Sequence, residues 1–387
     1  MSGSRPGDLA RLSLTNFRNY PALTWRPGAR ISVITGPNGT GKTNLLEAVS
    51  VLVPGRGLRG ARIADLACMA GNGRWAVAAR FMDGVAHTDI GTGTLPDGPA
   101  DRRVFRVDGQ APRSQAEVAA RVSAVWLTPQ MDRLFQEGAS GRRRFLDRLV
   151  WALEPGHARE VAAYDTAMAQ RNRLLAVGGA DVAWLAGLEE SMVRHAVAAT
   201  AARRGLVTRL NAALASGASG AFPTARLALI DPVADRLDLH PALAVEDWLR
   251  AALAAARPRD AAAGSASLGA HRADMMLSDS QTGLTAAQAS TGQQKALLVG
   301  TILGHAALIA EARGRAPLLL LDEPMVHLDA DRRGKLLTAL AGLPAQVMVT
   351  GTDAALFASL AGLAEGLLTG GNTLQPDPDF PASGAVF

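Results

Sequence analysis

A single cysteine, Cys68, occurs in 387 residues. One thiol excludes an intramolecular disulfide framework, and its apolar setting from Ala64 to Ala70 suits a small buried hydrophobe. Lysine is nearly as scarce, with only Lys42, Lys295 and Lys335. No apolar run approaches the eighteen or more residues that a membrane helix needs. The polar stretch Met1–Ala10, with Pro6 and Asp8, lacks the apolar core of a secretory signal. A cytoplasmic location without a membrane partner is therefore expected. Sustained heptads and internal repeats are missing, so a long coiled coil is not encoded. No cluster has metal-ligand spacing, and no Ser/His/Asp set suggests nucleophilic catalysis.

Hydrophobic residues make up 48% of the chain, enough for a large core and more than one structural unit. A charged content of 19% argues against bulk disorder. The net charge of +5 is compatible with a polyanionic partner without demonstrating one. Because nearly all the cations are arginine, where they cluster says more than how many there are.

Alternating apolar and polar residues predict a strand over Leu9–Phe17, and a β-branched run predicts another over Ile31–Ile34. A helical pattern follows over Asn44–Val53 and stops at Pro54-Gly55. Strands are expected at Trp75–Phe81, Val85–Ile90 and Arg103–Val107, separated by Asp83-Gly84 and a loop from Gly91 to Pro99. Val122–Leu127 reads as a further strand. Near Gly138 the chain becomes Ala-rich and helical, with segments at Gly141–Trp151, His157–Leu175 and Val182–Leu214, broken by Pro155-Gly156 and Gly178-Gly179. A strand at Arg226–Ile230 and a helix near Val245–Ala256 come next. Arg257–Gly269, rich in Ala, Ser and Gly, reads as a mobile linker. Strands at Asp274–Leu277, Pro317–Leu321 and Val347–Thr350 and a long helix at Gly292–Ala312 complete the pattern. The expected class is α/β: one lobe from residues 1–137 plus 265–387, with a mainly helical lobe, 138–264, inserted.

Gly36-Pro37-Asn38-Gly39-Thr40-Gly41-Lys42-Thr43 fits the phosphate-binding loop, following a predicted strand and opening a predicted helix. The glycines let successive backbone N–H groups turn inward around phosphates. Lys42 supplies charge for the β- and γ-phosphates, and Thr43 a hydroxyl for Mg²⁺. At the end of a buried strand, Asp322 suits the metal shell and Glu323 is placed to polarise an attacking water. Bound ATP and Mg²⁺ are thus expected. Ser290-Thr291-Gly292-Gln293-Gln294-Lys295 opens a long apolar helix whose N–H groups and hydroxyl make an anion site. Alone, that motif would serve equally as an ordinary helix cap.

In this order the motifs resemble the ABC ATPase superfamily, the fold being an ABC-type P-loop ATPase head. The resemblance implies that Ser290, Gly292 and Gln293 meet the γ-phosphate of a nucleotide held by a second subunit. It also places Asp329, in His327-Leu328-Asp329, at a dimer-contact loop and Gln130 at a glutamine loop with a catalytic role. Leu14-Thr15-Asn16-Phe17-Arg18-Asn19-Tyr20, Gly141-Arg142-Arg143-Arg144-Phe145-Leu146-Asp147 and Leu268-Gly269-Ala270-His271-Arg272-Ala273-Asp274 resemble elements of the RecF family, so the likeness runs from about Leu12 to Thr352. Ala270 and Ala273 depart from a proline and an acid, Gln130 stands where the family often has an acid, and Thr350-Gly351-Thr352-Asp353 replaces the switch histidine. The resemblance implies an ATP-dependent DNA-binding protein of recombinational repair and replication restart. Such a protein dimerises on ATP, assists recombinase loading at gapped DNA with the partners RecR and RecO, and turns ATP over slowly under DNA stimulation. Arg142, Arg143 and Arg144 are the densest basic cluster and the candidate DNA contacts, although they suit a solvated helix face equally well. A transporter ATPase subunit is disfavoured by the roughly 250 residues between Thr43 and Ser290. A structural SMC-type head would need long coiled-coil arms.

Overall fold

The computed structural model describes residues 7–84, 86–177 and 181–381. Met1–Pro6, the expected strand start at Val85 and the expected helix break at Gly178-Gly179 lie outside the described residues. In chain order the strands and helices are β1 (Leu9–Phe17), β2 (Tyr20–Trp25), β3 (Ile31–Thr35), α1 (Lys42–Ser50), β4 (Ala76–Asp83), β5 (Ala86–Thr94), β6 (Arg103–Val107), α2 (Gln115–Arg121) and β7 (Ala124–Leu127). Then come α3 (Ala139–Leu153), α4 (His157–Val177), α5 (Val182–Ala213), β8 (Ala225–Ile230), α6 (Pro232–Leu237), α7 (Ala242–Ala263) and β9 (Asp274–Asp279). The last are α8 (Thr291–Arg313), β10 (Leu318–Leu321), α9 (Ala330–Gly342), β11 (Val347–Thr350), β12 (Ala364–Gly370) and β13 (Thr373–Pro376).

The chain divides into two compact units: Met1–Asp132, Ala218–Pro223 and Thr291–Phe387 form the first, and Arg133–Gly217 with Thr224–Ser290 the second. In the first unit a six-stranded sheet has the order β13-β12-β3-β11-β10-β7. β3, β11, β10 and β7 run parallel, and all their residues are buried, as expected of strands covered on both faces. A second, antiparallel sheet has the order β2-β1-β4-β5-β6. In β1, Leu12 and Leu14 point inward and Arg11 and Thr15 outward, the alternation of a half-buried strand, which left-handed Asn16 breaks before buried Phe17. Phe17 meets Trp75 edge-on, with centroids 5.5 Å apart.

α8 is buried in the first unit over most of its length. It is a 23-residue helix apolar enough to cross a membrane, although 78% of its apolar window is buried inside the protein. The expectation that no run approaches that length is therefore corrected: this is a core helix of matching composition. Gly300 allows its close approach to the returning segment 218–223, since a Cβ there would lie 3.1 Å from the Pro223 carbonyl oxygen.

The second unit packs α4, α5 and α7 around Tyr164, Met192, Val193, Val245, Leu249 and Leu253. Its limits differ from the expected 138–264, because β9 pairs antiparallel with β8 along its length and is tied to α3 by Arg142 and Asp274. The expected mobile linker at 257–269 is largely the continuation of α7, which carries Pro258 and ends on left-handed Gly264. Buried ion pairs hold this stretch in place. Arg171, with no exposed side-chain surface, binds Glu189 at 2.9 Å, Asp260 at 2.8 Å and the Leu253 carbonyl at 2.9 Å, while Arg257 closes on Glu189 at 2.6 Å. Gly91–Thr94, expected as loop, belongs to β5 because it pairs on both sides, with β4 and β6.

Breaking such a buried network strands charges away from water, at a cost of about 3–5 kcal/mol. Arg171→Ala should lower the unfolding free energy of the helical unit by that order in chemical denaturation, with ATP affinity unaffected. A loss below about 1 kcal/mol would show that the network is energetically neutral.

Candidate nucleotide-binding site

β3 ends at Thr35, and the phosphate-binding loop folds over the start of α1. Gly36 adopts φ 135°, and a Cβ there would lie 2.7 Å from Thr369 Oγ1 and 2.9 Å from the Thr369 carbonyl, so the position admits only glycine. Gly41, the left-handed residue before α1, is covered by Asn19 and Tyr20, which a Cβ would strike. Tyr20 donates its hydroxyl to the Gly41 carbonyl at 3.1 Å, and burial pushes its phenol up to about 12. Asn19 donates to the carbonyls of Thr40, at 3.4 Å, and Gly371, and accepts from Asn44 Nδ2 at 2.7 Å. The loop is thus braced by the protein's own side chains.

Lys42 is buried, and its Nζ donates to the carbonyls of Gly36 at 2.6 Å and Pro37 at 3.1 Å. Burial lowers its pKa, an effect opposed by the charges of Glu323, whose carboxylate is 3.9 Å away, and Asp322. Thr43, one residue on, donates its hydroxyl to Asp322 Oδ1 at 2.9 Å. Asp322 follows β10 directly, and its backbone N–H bonds Leu127 O of neighbouring β7. Burial raises its carboxyl above the ordinary carboxylate range, while hydrogen bonds from Thr350 and Thr43 oppose the rise.

Thr350, the last residue of β11, links the two carboxylate positions. Its hydroxyl donates to Asp322 Oδ1 at 2.9 Å and accepts the Glu323 backbone N–H at 2.9 Å. Glu323 itself sits at φ 46°, a left-handed backbone that a non-glycine residue holds only when its surroundings enforce it. Its side chain is partly exposed and, with Asn38, Gly39, Lys42, Thr43 and Arg59, lines an open cleft. Arg59 is fixed there by Asn44 Oδ1 at 2.6 Å and by buried Glu47 at 3.4 Å.

The Thr43 hydroxyl and the Asp322 carboxylate present two hard oxygens on the cleft side of a phosphate loop. They suit Mg²⁺, which is held by one or two carboxylates and otherwise by water and phosphate. Fittingly, no group of three or more His, Cys, Asp or Glu side chains forms a metal cage among the described residues.

Lys42, Thr43, Asp322 and Glu323 therefore converge as the sequence suggests, and Asn19, Asn44, Arg59, Thr369 and Thr350 join them. Sequence reading noted Thr350 only as the occupant of a histidine position; its place at the end of a strand parallel to β3 and β10 was the available signal. Gln130 is exposed in the turn Pro129–Arg133 after β7 and does not line the cleft. Asp329 caps α9, accepting the Arg332 N–H at 2.8 Å. Gly292 lies against its loop, since a Cβ would be 3.1 Å from the His327 carbonyl. Ser290 and Gln293 are exposed. The basic cluster is differently employed. Arg142 forks onto Asp274, with both bonds at 2.8 Å, and bonds Glu137 O, while Arg143 donates to Ala273 O at 2.8 Å. Only Arg144 of the three is exposed. α3 packs against β9, so two of the three guanidinium groups serve the inside of the helical unit.

A parallel sheet carrying a phosphate loop, a buried aspartate, a strained glutamate and a signature helix defines an ABC-type ATPase head. Residues 8–364 match the family model for the RecF/RecN/SMC N terminal domain. The chain is 46% identical to the DNA replication and repair protein RecF of Mesorhizobium japonicum, over 96% of this chain and 98% of that one. It is 44% identical to the protein of that name from Agrobacterium fabrum, over 91% and 94%. Among solved structures, the recombination mediator protein RecF with ATP in the RecFOR pathway superposes with a TM-score of 0.81 at 21% identity, covering 97% of this chain and 100% of that one. An Smc head domain from Pyrococcus furiosus reaches 0.50 at 15% identity, covering 95% of each. The chain belongs to the RecF family of DNA replication and repair proteins.

Thr350→Val keeps the shape of the side chain and removes both hydroxyl bonds. ATP affinity without Mg²⁺ should stay within about twofold, whereas the Mg²⁺ requirement for turnover should rise and the rate fall roughly tenfold or more, about 1.4 kcal/mol. Steady-state hydrolysis across a Mg²⁺ titration reads this, and parent behaviour would remove Thr350 from the site.

Proposed function

We propose that this protein is an ATP-dependent, DNA-binding ATPase of recombinational repair and replication restart, which dimerises on ATP and assists recombinase loading at gapped DNA. The observation that carries the reading is that Lys42, Thr43 and Glu323 line one cleft, Thr43 and Glu323 being tied by hydrogen bonds to buried Asp322 and Thr350 behind it, with Ser290 and Gln293 exposed at the start of the signature helix. Relatives named DNA replication and repair protein RecF, and the likeness to RecF with ATP, support it.

In this reading the loop N–H groups and Lys42 hold the β- and γ-phosphates, and Thr43 and Asp322 would hold Mg²⁺, which supplies charge neutralisation at the phosphates. Glu323 accepts a hydrogen bond from the attacking water and orients it on the γ-phosphorus. Water oxygen bonds phosphorus as the bond to the ADP oxygen breaks. Thr350 binds the Asp322 carboxylate and the Glu323 backbone N–H but takes up no proton at neutral pH, which supports slow turnover; stimulation by DNA is part of the same proposal. Ser290, Gly292 and Gln293 would complete the nucleotide site of a second subunit, with Asp329 at the contact; Gln130, outside the cleft, is given no part in orienting the water. RecR and RecO are the partners that family membership suggests.

Lys42→Ala should weaken ATP binding by about 1.5–3 kcal/mol, roughly ten- to a hundredfold, and abolish ATP-dependent dimerisation. Glu323→Gln should bind ATP, hydrolyse it far more slowly and accumulate dimer. Ser290→Arg should keep monomer ATP binding and lose dimerisation. Equilibrium titration, phosphate release with and without DNA, and sedimentation test the set. Parent ATP affinity in Lys42→Ala, or parent turnover in Glu323→Gln, would overturn the assignment.

A further inference from the structure

The solvent face of the antiparallel sheet carries a basic groove that the ATPase chemistry does not use. Its register is read directly from the pairing: Ser13, Ala78, Gly91 and Arg106 stand in one row across β1, β4, β5 and β6. Arg11, Arg80 and Asp89 stand in the neighbouring row. These residues line an open depression of about 290 Å³, closed at one end by the Gly109 turn. Among the lining residues three guanidinium groups oppose one carboxylate, and a second, Asp108, stands opposite Asp89 at the end of its row and accepts the Asp89 N–H at 2.8 Å. Asp89 is bound on both oxygens by Arg80, at 2.7 and 2.8 Å, so its charge is spent within the protein. Arg106 is exposed and makes no hydrogen bond or ion pair within the described residues, and Arg11 is exposed and donates only to Ser13 Oγ at 3.2 Å. Both keep most of their donors for something outside.

The floor between them is bare. A glycine in mid-strand weakens a sheet, and one that internal packing does not demand marks a place where another surface comes close. Gly91 is such a glycine: a Cβ there would meet nothing nearer than 3.9 Å. Arg11 on β1 and Arg106 on β6 are three strand spacings apart, about 14 Å across the strands, and one row apart along them. That is of the order of the roughly 12 Å width of the duplex major groove, across which two phosphate backbones face each other. Ile90, the large apolar residue in the lining, is buried, so the depression exposes no aromatic or aliphatic anchor of the kind typical of a protein-binding hot spot.

We infer that this sheet face is a contact surface for the phosphate backbone of duplex DNA, with Arg11 and Arg106 as phosphate ligands and Gly91 as the point of closest approach. The inference rests on the DNA-binding reading above and gives it a location. It differs from the expectation at Arg142–Arg144, where two of the three forks are already used inside the helical unit. Contacts of this kind read no sequence, so affinity should be alike on unrelated duplexes and steeply salt dependent.

The test uses the full-length chain with ATP and fluorescent duplexes of two unrelated sequences, titrated over a salt series. Arg11→Ala/Arg106→Ala should flatten the slope of log K against log salt by about 0.9 for each phosphate that is no longer neutralised, equally on both duplexes. Gly91→Glu, which has room for its Cβ, should weaken binding at least tenfold by placing a like charge on the floor. Arg142→Ala/Arg143→Ala should leave the slope at the parent value. Unchanged ATP affinity and unfolding midpoint in the groove variants confirm intact folding. Parent slope and affinity in both groove variants would overturn the inference and leave the face to a protein partner. If the parent chain itself binds no duplex with ATP, the DNA-binding reading fails instead.

Discussion

Asp322 Oδ1 accepts two hydroxyl bonds, from Thr43 and Thr350, each 2.9 Å long. Thr43 lies 279 residues away in sequence, and the parallel sheet brings the two positions to one place. β3, β11 and β10 run side by side in the same direction, so their C-terminal ends share an edge and the loops that follow them meet there. The arrangement depends on register. A shift of one residue in β10 would move Asp322 by about 3.3 Å and turn its side chain to the opposite face. The fully buried apolar strands fix that register, and the chemistry at their ends inherits it.

Strain is concentrated where that precision is needed. Five non-glycine residues among the described ones hold positive φ, and Glu323 and His327 are two of them. Both lie on the loop between β10 and α9. The loop is anchored at one end by the Thr350 hydroxyl on the Glu323 N–H and at the other by Asp329 capping α9. Asn16 and Arg18, also left-handed, precede Asn19, whose amide braces the phosphate loop. There Asn16 O accepts the Cys68 N–H at 2.7 Å, and Arg18 binds buried Glu47 through two bonds at 2.8 and 2.9 Å. Unfavourable backbone is thus held by specific partners on both approaches to the cleft, which is how a fixed geometry survives without a ligand.

Most of the ATPase core was legible in sequence because its signals are local. A β-branched run, three glycines and a lysine at fixed spacing announce β3, the loop and α1, and Leu318–Leu321 followed by two acids announces β10 and its carboxylates. What was not legible depends on partners far along the chain. Gly91–Thr94 looks like loop because glycine alternates with threonine, yet two flanking strands hold it in β5. Arg257–Ala263 looks like linker because alanine and a proline dominate, yet Arg257 and Asp260 are bound by Glu189 and Arg171 from other helices. β2, β12, β13, α2 and α9 lack a periodicity strong enough to declare them. The end of a strand places Thr350 near the site, but nothing in the sequence says which two groups its hydroxyl will join.

The same distinction governs the arginines, which sequence can count but not apportion. A guanidinium has five donors, and what it can offer a partner is what remains after its own protein has been served. Arg171 has nothing to offer outside: its side chain is fully buried, three acceptors hold its three nitrogens, and its charge is matched by buried carboxylates. Arg142 is almost as fully occupied, and its neighbour Arg143 loses part of its basicity to burial, the direction that disfavours a free surface role. Arg11 and Arg106 stand at the other extreme, on a sheet face whose small residues leave them exposed and bind only the Nε of Arg11, through Ser13, among the described residues. Density along the chain points to 142–144, whereas unspent donors point to the sheet. For a ligand recognised by charge and hydrogen bonds together, the second measure is the physical one, because a fork already closed on Asp274 must break two short bonds before it can meet a phosphate.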